Sequence, residues 1–173
     1  MYNKKWIFTY FILVITTFYF GYINTESGST EGKIYNLLEF EDVLLVFGIN
    51  TFSIIVLFFL SFFGGSIPFI FKLLYSIGSA AKASGVSPLI YFPISLCHGL
   101  FEIIALFIIL SIAKESIVLF IDIVKKKKNS KEFKSFMINT LKRELPILVG
   151  ILIIGALIEV YISNRLFVWV MTS

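Results

Sequence analysis

The sequence predicts an all-α membrane protein of about five transmembrane helices, on three observations. Hydrophobic residues make up 58% of 173 and charged residues only 15%, with a mean hydropathy of +0.92. A soluble domain of this length has no core large enough to hide so much apolar surface. The apolar residues fall into long runs separated by short polar breaks, each run near the length that crosses a hydrocarbon core of about 30 Å. Lysine is concentrated in one loop, Lys125-Lys126-Lys127-Lys128, as a topology signal would be.

Taken in order, the first run is 6–23, preceded by Lys4 and Lys5. A positive start before an apolar run also describes a signal peptide. This run, however, ends in Phe18-Tyr19-Phe20-Gly21-Tyr22 without a small-x-small cleavage site, so it reads as a retained first span with an interfacial aromatic belt. Residues 24–42 are polar and acidic; within them Ile34, Leu37 and Leu38 suggest one short amphipathic turn on the membrane surface. The second run is 43–63, with Glu41 and Asp42 complementing the helix dipole at its start and Asn50 inside it. Gly64-Gly65-Ser66, then Pro68, ends that helix and starts another. The third run, 67–83, is short and carries Lys72. A full span is the preferred reading and a re-entrant hairpin the alternative. Its small-residue run Gly78-Ser79-Ala80-Ala81 permits close helix approach.

The fourth run, 88–113, is long enough to span yet holds the only histidine, His98, and a carboxylate, Glu102. Four apart, they share a helix face. Ionisable groups in such a segment are costly and should face protein or water. The pattern continues helically to Ile121 and then meets the basic loop, 122–145. In that loop Phe133, Phe136, Met137 and Leu141 share a face, which predicts an interfacial amphipathic helix before the last span. The lysines read first as an orientation signal, with lipid or partner contact as the alternative. The fifth run is 146–162, with Gly150 and Gly155 as packing positions and Glu159 near its end. Five spans and the lysine asymmetry together put the N-terminus in the cytoplasm and the C-terminus outside. The whole chain, 1–173, reads as a single integral membrane domain.

Composition and motifs also exclude classes. No base-reading or phosphate-binding motif is present, so nucleic acid is not an expected partner. A metal site wants three or four ligands and His98 with Glu102 supplies two. His-Glu-x-x-His and Gly-x-Ser-x-Gly are absent. Catalysis, metal and cofactor are therefore not expected. Cys97, the lone cysteine, reads as a buried thiol. For His98 the favoured reading is structural: a hydrogen bond to Glu102 or Asn50 that pins helices, with Gly99 admitting a close neighbour. A ligand site or proton relay is the alternative.

Cys97-His98-Gly99-Leu100-Phe101-Glu102 resembles the Pro-His-Gly-x-Phe-Glu motif of the stage II sporulation protein M family. Asn50 in the second span, the glycine turn after it and the hydrophobic layout are similar too. The sequence departs from the pattern at Cys97 and at Ile104, where the family carries proline. The resemblance implies a small multi-pass protein of the bacterial cell membrane without catalytic chemistry. It implies a scaffold or subunit of a membrane complex, partnered for example by a cell-wall hydrolase complex. The alternative it implies is a permease-like component of an ATP-binding cassette exporter or a peptide-immunity system, partnered by an ATPase.

Overall fold

A computed structural model describes residues 3–30, 36–126 and 128–172. Among these residues the chain is helical, with no strand. Its elements are α1 (Lys4–Ile23), α2 (Phe40–Ser61), α3 (Ser66–Ala83), α4 (Pro88–Val124), α5 (Ser130–Ile158), a π-turn (Glu159–Ser163) and α6 (Asn164–Thr172). The last three run on without a break. Four helical stretches are long and apolar enough to cross a membrane: α1, α2, α4 and the continuous rod Ser130–Thr172. The chain thus has the features of a multi-pass membrane protein, with broad apolar faces suited to lipid. The third helix, α3, falls short of that apolarity because Lys72 and Lys82 interrupt it.

Local chemistry sets the boundaries. Asn3 Oδ1 accepts from the Trp6 N–H at 2.7 Å to cap α1. Asp42 Oδ2 accepts from the Glu39 N–H at 2.7 Å at the start of α2. Asn129 and Glu132 cap α5 reciprocally: Asn129 Oδ1 accepts from Lys131 N–H and Glu132 Oε1 from Asn129 N–H, both at 3.2 Å. Gly64, at φ 71°, turns the chain between α2 and α3, and Gly85, at φ 76°, between α3 and α4.

The side-chain contacts fix the topology. Trp6 Nε1 donates to Ser111 Oγ at 2.8 Å and Tyr10 Oη to the Ile103 carbonyl at 2.8 Å, so α1 and α4 are antiparallel. Asn50 meets Glu102 while Ser116 donates to the Phe62 carbonyl, so α2 and α4 are parallel. Phe136 lies 6.2 Å from Phe62 and Val43 packs near Val160, so α5 is antiparallel to α2. The α1 N-terminus, the Gly64 turn and the end of α4 share one end of the bundle; residues 24–30 and 36–39, the Gly85 turn and α6 share the other.

Helix α3 runs parallel to α1 at backbone contact. A Cβ on Gly21 would lie 2.0 Å from the Tyr75 carbonyl oxygen, and one on Gly78 would lie 2.0 Å from the Phe18 carbonyl oxygen. The hydroxyls of Thr25 and Ser79 share a hydrogen bond of 2.7 Å at the same seam. The small-residue run expected to allow close approach does so, through Gly78. Gly99 does not: a Cβ there meets nothing within 4 Å, and the same holds at Gly150. Both expectations of close packing are corrected. Gly99 borders a cavity instead. Gly155 keeps its packing role, with Phe101 Cβ at 3.3 Å from the position of a Cβ.

Two further expectations change. Residues 131–143 are not a separate interfacial helix but the opening turns of α5. Their aromatic face docks on the bundle, with Phe133 5.1 Å from Phe120 and Phe136 against Phe62. Burying that face on protein holds the segment in line with the rest of α5. The surface turn at Ile34, Leu37 and Leu38 is not formed where described. Residues 36–39 have no regular structure, because Asn164 straps them: its Oδ1 accepts from the Leu38 N–H at 2.9 Å and its Nδ2 donates to the Asn36 carbonyl at 3.3 Å. Ile34 lies outside the described residues.

Packing is uneven along the bundle. From the level of Leu106 and Leu152 toward the basic end the core is dense, with Phe58, Ile70, Leu74, Ile109, Ile112 and Leu148 all 0% exposed. Toward the other end it is hollow. Helix length matters as well: the 37 residues of α4 measure about 55 Å at about 1.5 Å per residue. That exceeds the hydrocarbon thickness. Charged residues reappear at Lys114 on α4 and recur as far as Glu144 on α5. The Lys114 ammonium sits 4.2 Å from the centre of the Trp6 ring, an amphipathic pair suited to an interface.

Candidate functional site

The hollow half holds the polar residues singled out in the sequence. Along one face of α4, Tyr91, Ser95, His98 and Glu102 fall at spacings of four, three and four, so the helix presents them as one stripe. Three cavities follow this stripe. The outermost, about 350 Å³, lies between α4, the π-turn and α6, and is lined by His98, Glu159, Ser163 and Asn164 among others. The next, about 210 Å³, is bounded by His98, Gly99, Glu102 and Ser76. The innermost, about 180 Å³, is a cleft between α2 and α3 whose floor holds Asn50 and Glu102 and which ends on Leu106 and Leu152. Neighbouring cavities share walls at His98 and at Glu102.

Asn50 Nδ2 donates to Glu102 Oε1 at 2.9 Å, joining α2 to α4. The sequence pointed to a helix pin here, and one exists. Its members differ from the favoured reading, since His98 takes no part. His98 Nδ1 is buried without a hydrogen-bond partner among the described residues. Sharing a helix face does not bring the imidazole and the carboxyl into contact; both border the same cavity. Asn50 reaches Glu102 because α2 runs parallel to α4 at that level, which helix spacing alone cannot show. Lys72 is exposed on α3 and lines none of the three cavities. The Cys97 thiol is half-buried, not fully buried, and donates to the Pro93 carbonyl at 3.3 Å.

The basic loop lies at the far end from these cavities. Lys125 ends α4. Lys126 turns the chain at φ 55°, and Lys128 Nζ lies 3.5 Å from Asp122 Oδ2. Lys127 lies outside the described residues. The ion pair is surface-exposed and contributes little by itself. At the same end, Glu144 is buried on α5 and accepts from Arg143 Nε at 2.8 Å and Nη2 at 2.6 Å.

Sequence reasoning missed Ser163, Asn164, Ser53 and Ser76. Glu159, Ser163 and Asn164 cluster where the fifth apolar run ends, and that clustering was the available signal. What it could not show is the π-turn, where the Asn164 N–H reaches the Glu159 carbonyl and the helix face is re-aimed.

No group of three His, Cys, Asp or Glu among the described residues is placed to hold a metal ion. What the arrangement can do is bind: it offers a hydrogen-bonded acid–amide pair, an imidazole and a second carboxyl around adjoining cavities. Comparison with family models, curated proteins and solved structures gives no match.

Proposed function

We propose that this chain is a non-catalytic scaffold or subunit of a bacterial cell-membrane complex, as its resemblance to the stage II sporulation protein M family implies. The observation that carries this reading is the cleft between α2 and α3. Ser53 and Ser76 are exposed on its walls, and its floor is the Asn50–Glu102 pair. Acyl chains make poor partners for such a floor, whereas a helix with small or polar side chains can both fill the cleft and bond to it. The occupant is a transmembrane helix of a partner protein.

Filling the cleft tests this. Ser76→Trp is expected to shift the native-gel complex from the source membrane down to the lone chain, with insertion unchanged. Leu45→Trp, on a lipid-facing position 62% exposed, is expected to leave the complex intact. A complex that survives Ser76→Trp would refute the cleft as its contact.

The proposed orientation has five spans, α3 included, with the N-terminus and the basic loop in the cytoplasm and the C-terminus outside. It is supported by the gathering of Lys4, Lys5 and the lysine loop at one bundle end. Alkaline phosphatase fused after Asn36 or after Ser173 is expected to be active, and fused after Lys128 to be inactive. Activity at Lys128 reverses the orientation; inactivity at Ser173 removes α3 as a span.

A second reading, a permease-like component of an ATP-binding cassette exporter or a peptide-immunity system, draws on a different feature. The ends of α4 and α5 form a charged hairpin beyond the hydrocarbon zone, where an ATPase could dock. Changing Lys125, Lys126, Lys127 and Lys128 to glutamine separates the possibilities. Normal insertion with loss of a co-purifying ATPase supports docking, and disturbed insertion supports a purely orienting role.

A further inference from the structure

The outermost cavity is built differently from the others. Helix α5 gives way at Glu159–Ser163 to one π-turn, a departure that costs regular hydrogen bonding and recurs at functional sites. Here it sets Glu159 and Ser163 on the wall of the same cavity, facing α4. Ser163 is 3% exposed, and its hydroxyl oxygen, like His98 Nδ1 on the opposite side, is buried without a hydrogen-bond partner among the described residues. Both residues line the cavity, and two unsatisfied polar atoms so close together are unusual in a folded protein.

The lining also says what kind of ligand. Glu159 is the one acid among the described residues lining the cavity, and no lysine or arginine lines it. Tyr91 and Phe167 stand edge to face, 6.5 Å apart, as an aromatic wall. A carboxyl beside aromatic faces suits a group that is cationic and donor-only. An ammonium is such a group, with three N–H donors and no acceptor. An anion would meet the Glu159 charge unfavourably, and a metal ion would lack ligands. The volume, about 350 Å³, is in the range of small-molecule sites.

We propose that the cavity between α4 and the π-turn binds the ammonium group of a small amine or of an amine-bearing lipid headgroup, with Glu159 as counter-ion and Tyr91 and Phe167 as its aromatic wall. This assignment does not rest on the cleft between α2 and α3 or on the orientation of the chain.

The test is calorimetric titration of the full-length chain in detergent with benzylamine at neutral pH, beside its uncharged analogue benzyl alcohol. Saturable binding of benzylamine and none of benzyl alcohol is the expected result. Glu159→Gln, with an unchanged melting curve, is expected to weaken benzylamine about tenfold or more, as loss of a charge-assisted bond does. If that variant fails to fold, Phe167→Leu serves: it removes the aromatic face and should weaken the amine while leaving the chain intact. Equal binding of the alcohol and the amine, no binding of benzylamine, or full affinity in a folded Glu159→Gln would overturn the proposal. Nanodiscs identify the source of the ammonium. Weaker benzylamine binding in phosphatidylethanolamine than in phosphatidylglycerol means that the lipid headgroup occupies the site, and equal binding means a free amine.

Discussion

Gly78→Val is expected to separate α1 from α3 and leave little folded protein in detergent. The position carries no slack, because the atom facing it is the Phe18 backbone oxygen, 2.0 Å from where a Cβ would lie. A flexible side chain could swing away; a carbonyl held inside α1 cannot. The helices must part, which also breaks the Thr25–Ser79 hydrogen bond and opens the seam at Gly21. Overpacking of this kind costs about 3 kcal/mol or more when the backbone must move. In a membrane the loss is not recovered elsewhere, since close packing is itself what holds such helices together. Size-exclusion profiles after a heating series measure it. The matched control is Gly99→Ala, which enters open space and is expected to be neutral or to stabilise α4 by about 0.5–1 kcal/mol, the usual gain of alanine over glycine in a helix. Full stability of Gly78→Val would show the placement of α1 against α3 to be wrong, and damage from Gly99→Ala would show that Gly99 does not face open space.

The Asn50–Glu102 hydrogen bond should behave as a coupled pair. Asn50→Leu removes the donor at 2.9 Å and strands the carboxyl, at an expected cost of about 1–2 kcal/mol. That range sits between the cost of an unsatisfied buried group and the smaller values found for polar contacts between membrane helices. Glu102→Leu should cost a similar amount for the stranded amide. The double variant should cost less than the two singles added, by about 1 kcal/mol, because no polar group is left unpaired. Glu102→Gln keeps the accepting oxygen and is expected to stay within about 0.5 kcal/mol of the parent. His98→Ala and Glu102→Leu should couple less strongly than the 50/102 pair, since they share a cavity wall but no hydrogen bond. Melting midpoints of the purified variants decide it. Coupling at 98/102 with none at 50/102 would restore the histidine to the pin.

Much of the molecule was legible in its residues. Apolar runs of the right length, the glycine turn at 64 and the acidic start of α2 at Glu41 and Asp42 are local or compositional facts. A single chain in water or lipid must respect them whatever its neighbours do. Hence the helices and their order were open to sequence reading, as was the isolation of His98, Asn50 and Glu102 among apolar side chains.

Which groups meet was decided only by the tertiary structure. Helical spacing places His98 and Glu102 on one face but is silent about the helix opposite, and that helix delivers Asn50 to Glu102 and nothing to His98. Glycine is equally mute: Gly78 and Gly99 are the same residue in similar apolar company, yet one lies against a carbonyl and the other beside empty space. The amphipathic face of 131–143 would suit a lipid surface or a protein one, and its Phe133 and Phe136 meet Phe120 and Phe62 of the bundle. At Glu159–Ser163 the helix period itself changes, so any spacing argument carried through that turn points in the wrong direction. Periodicity describes one helix at a time, whereas contact depends on the crossing and depth of two.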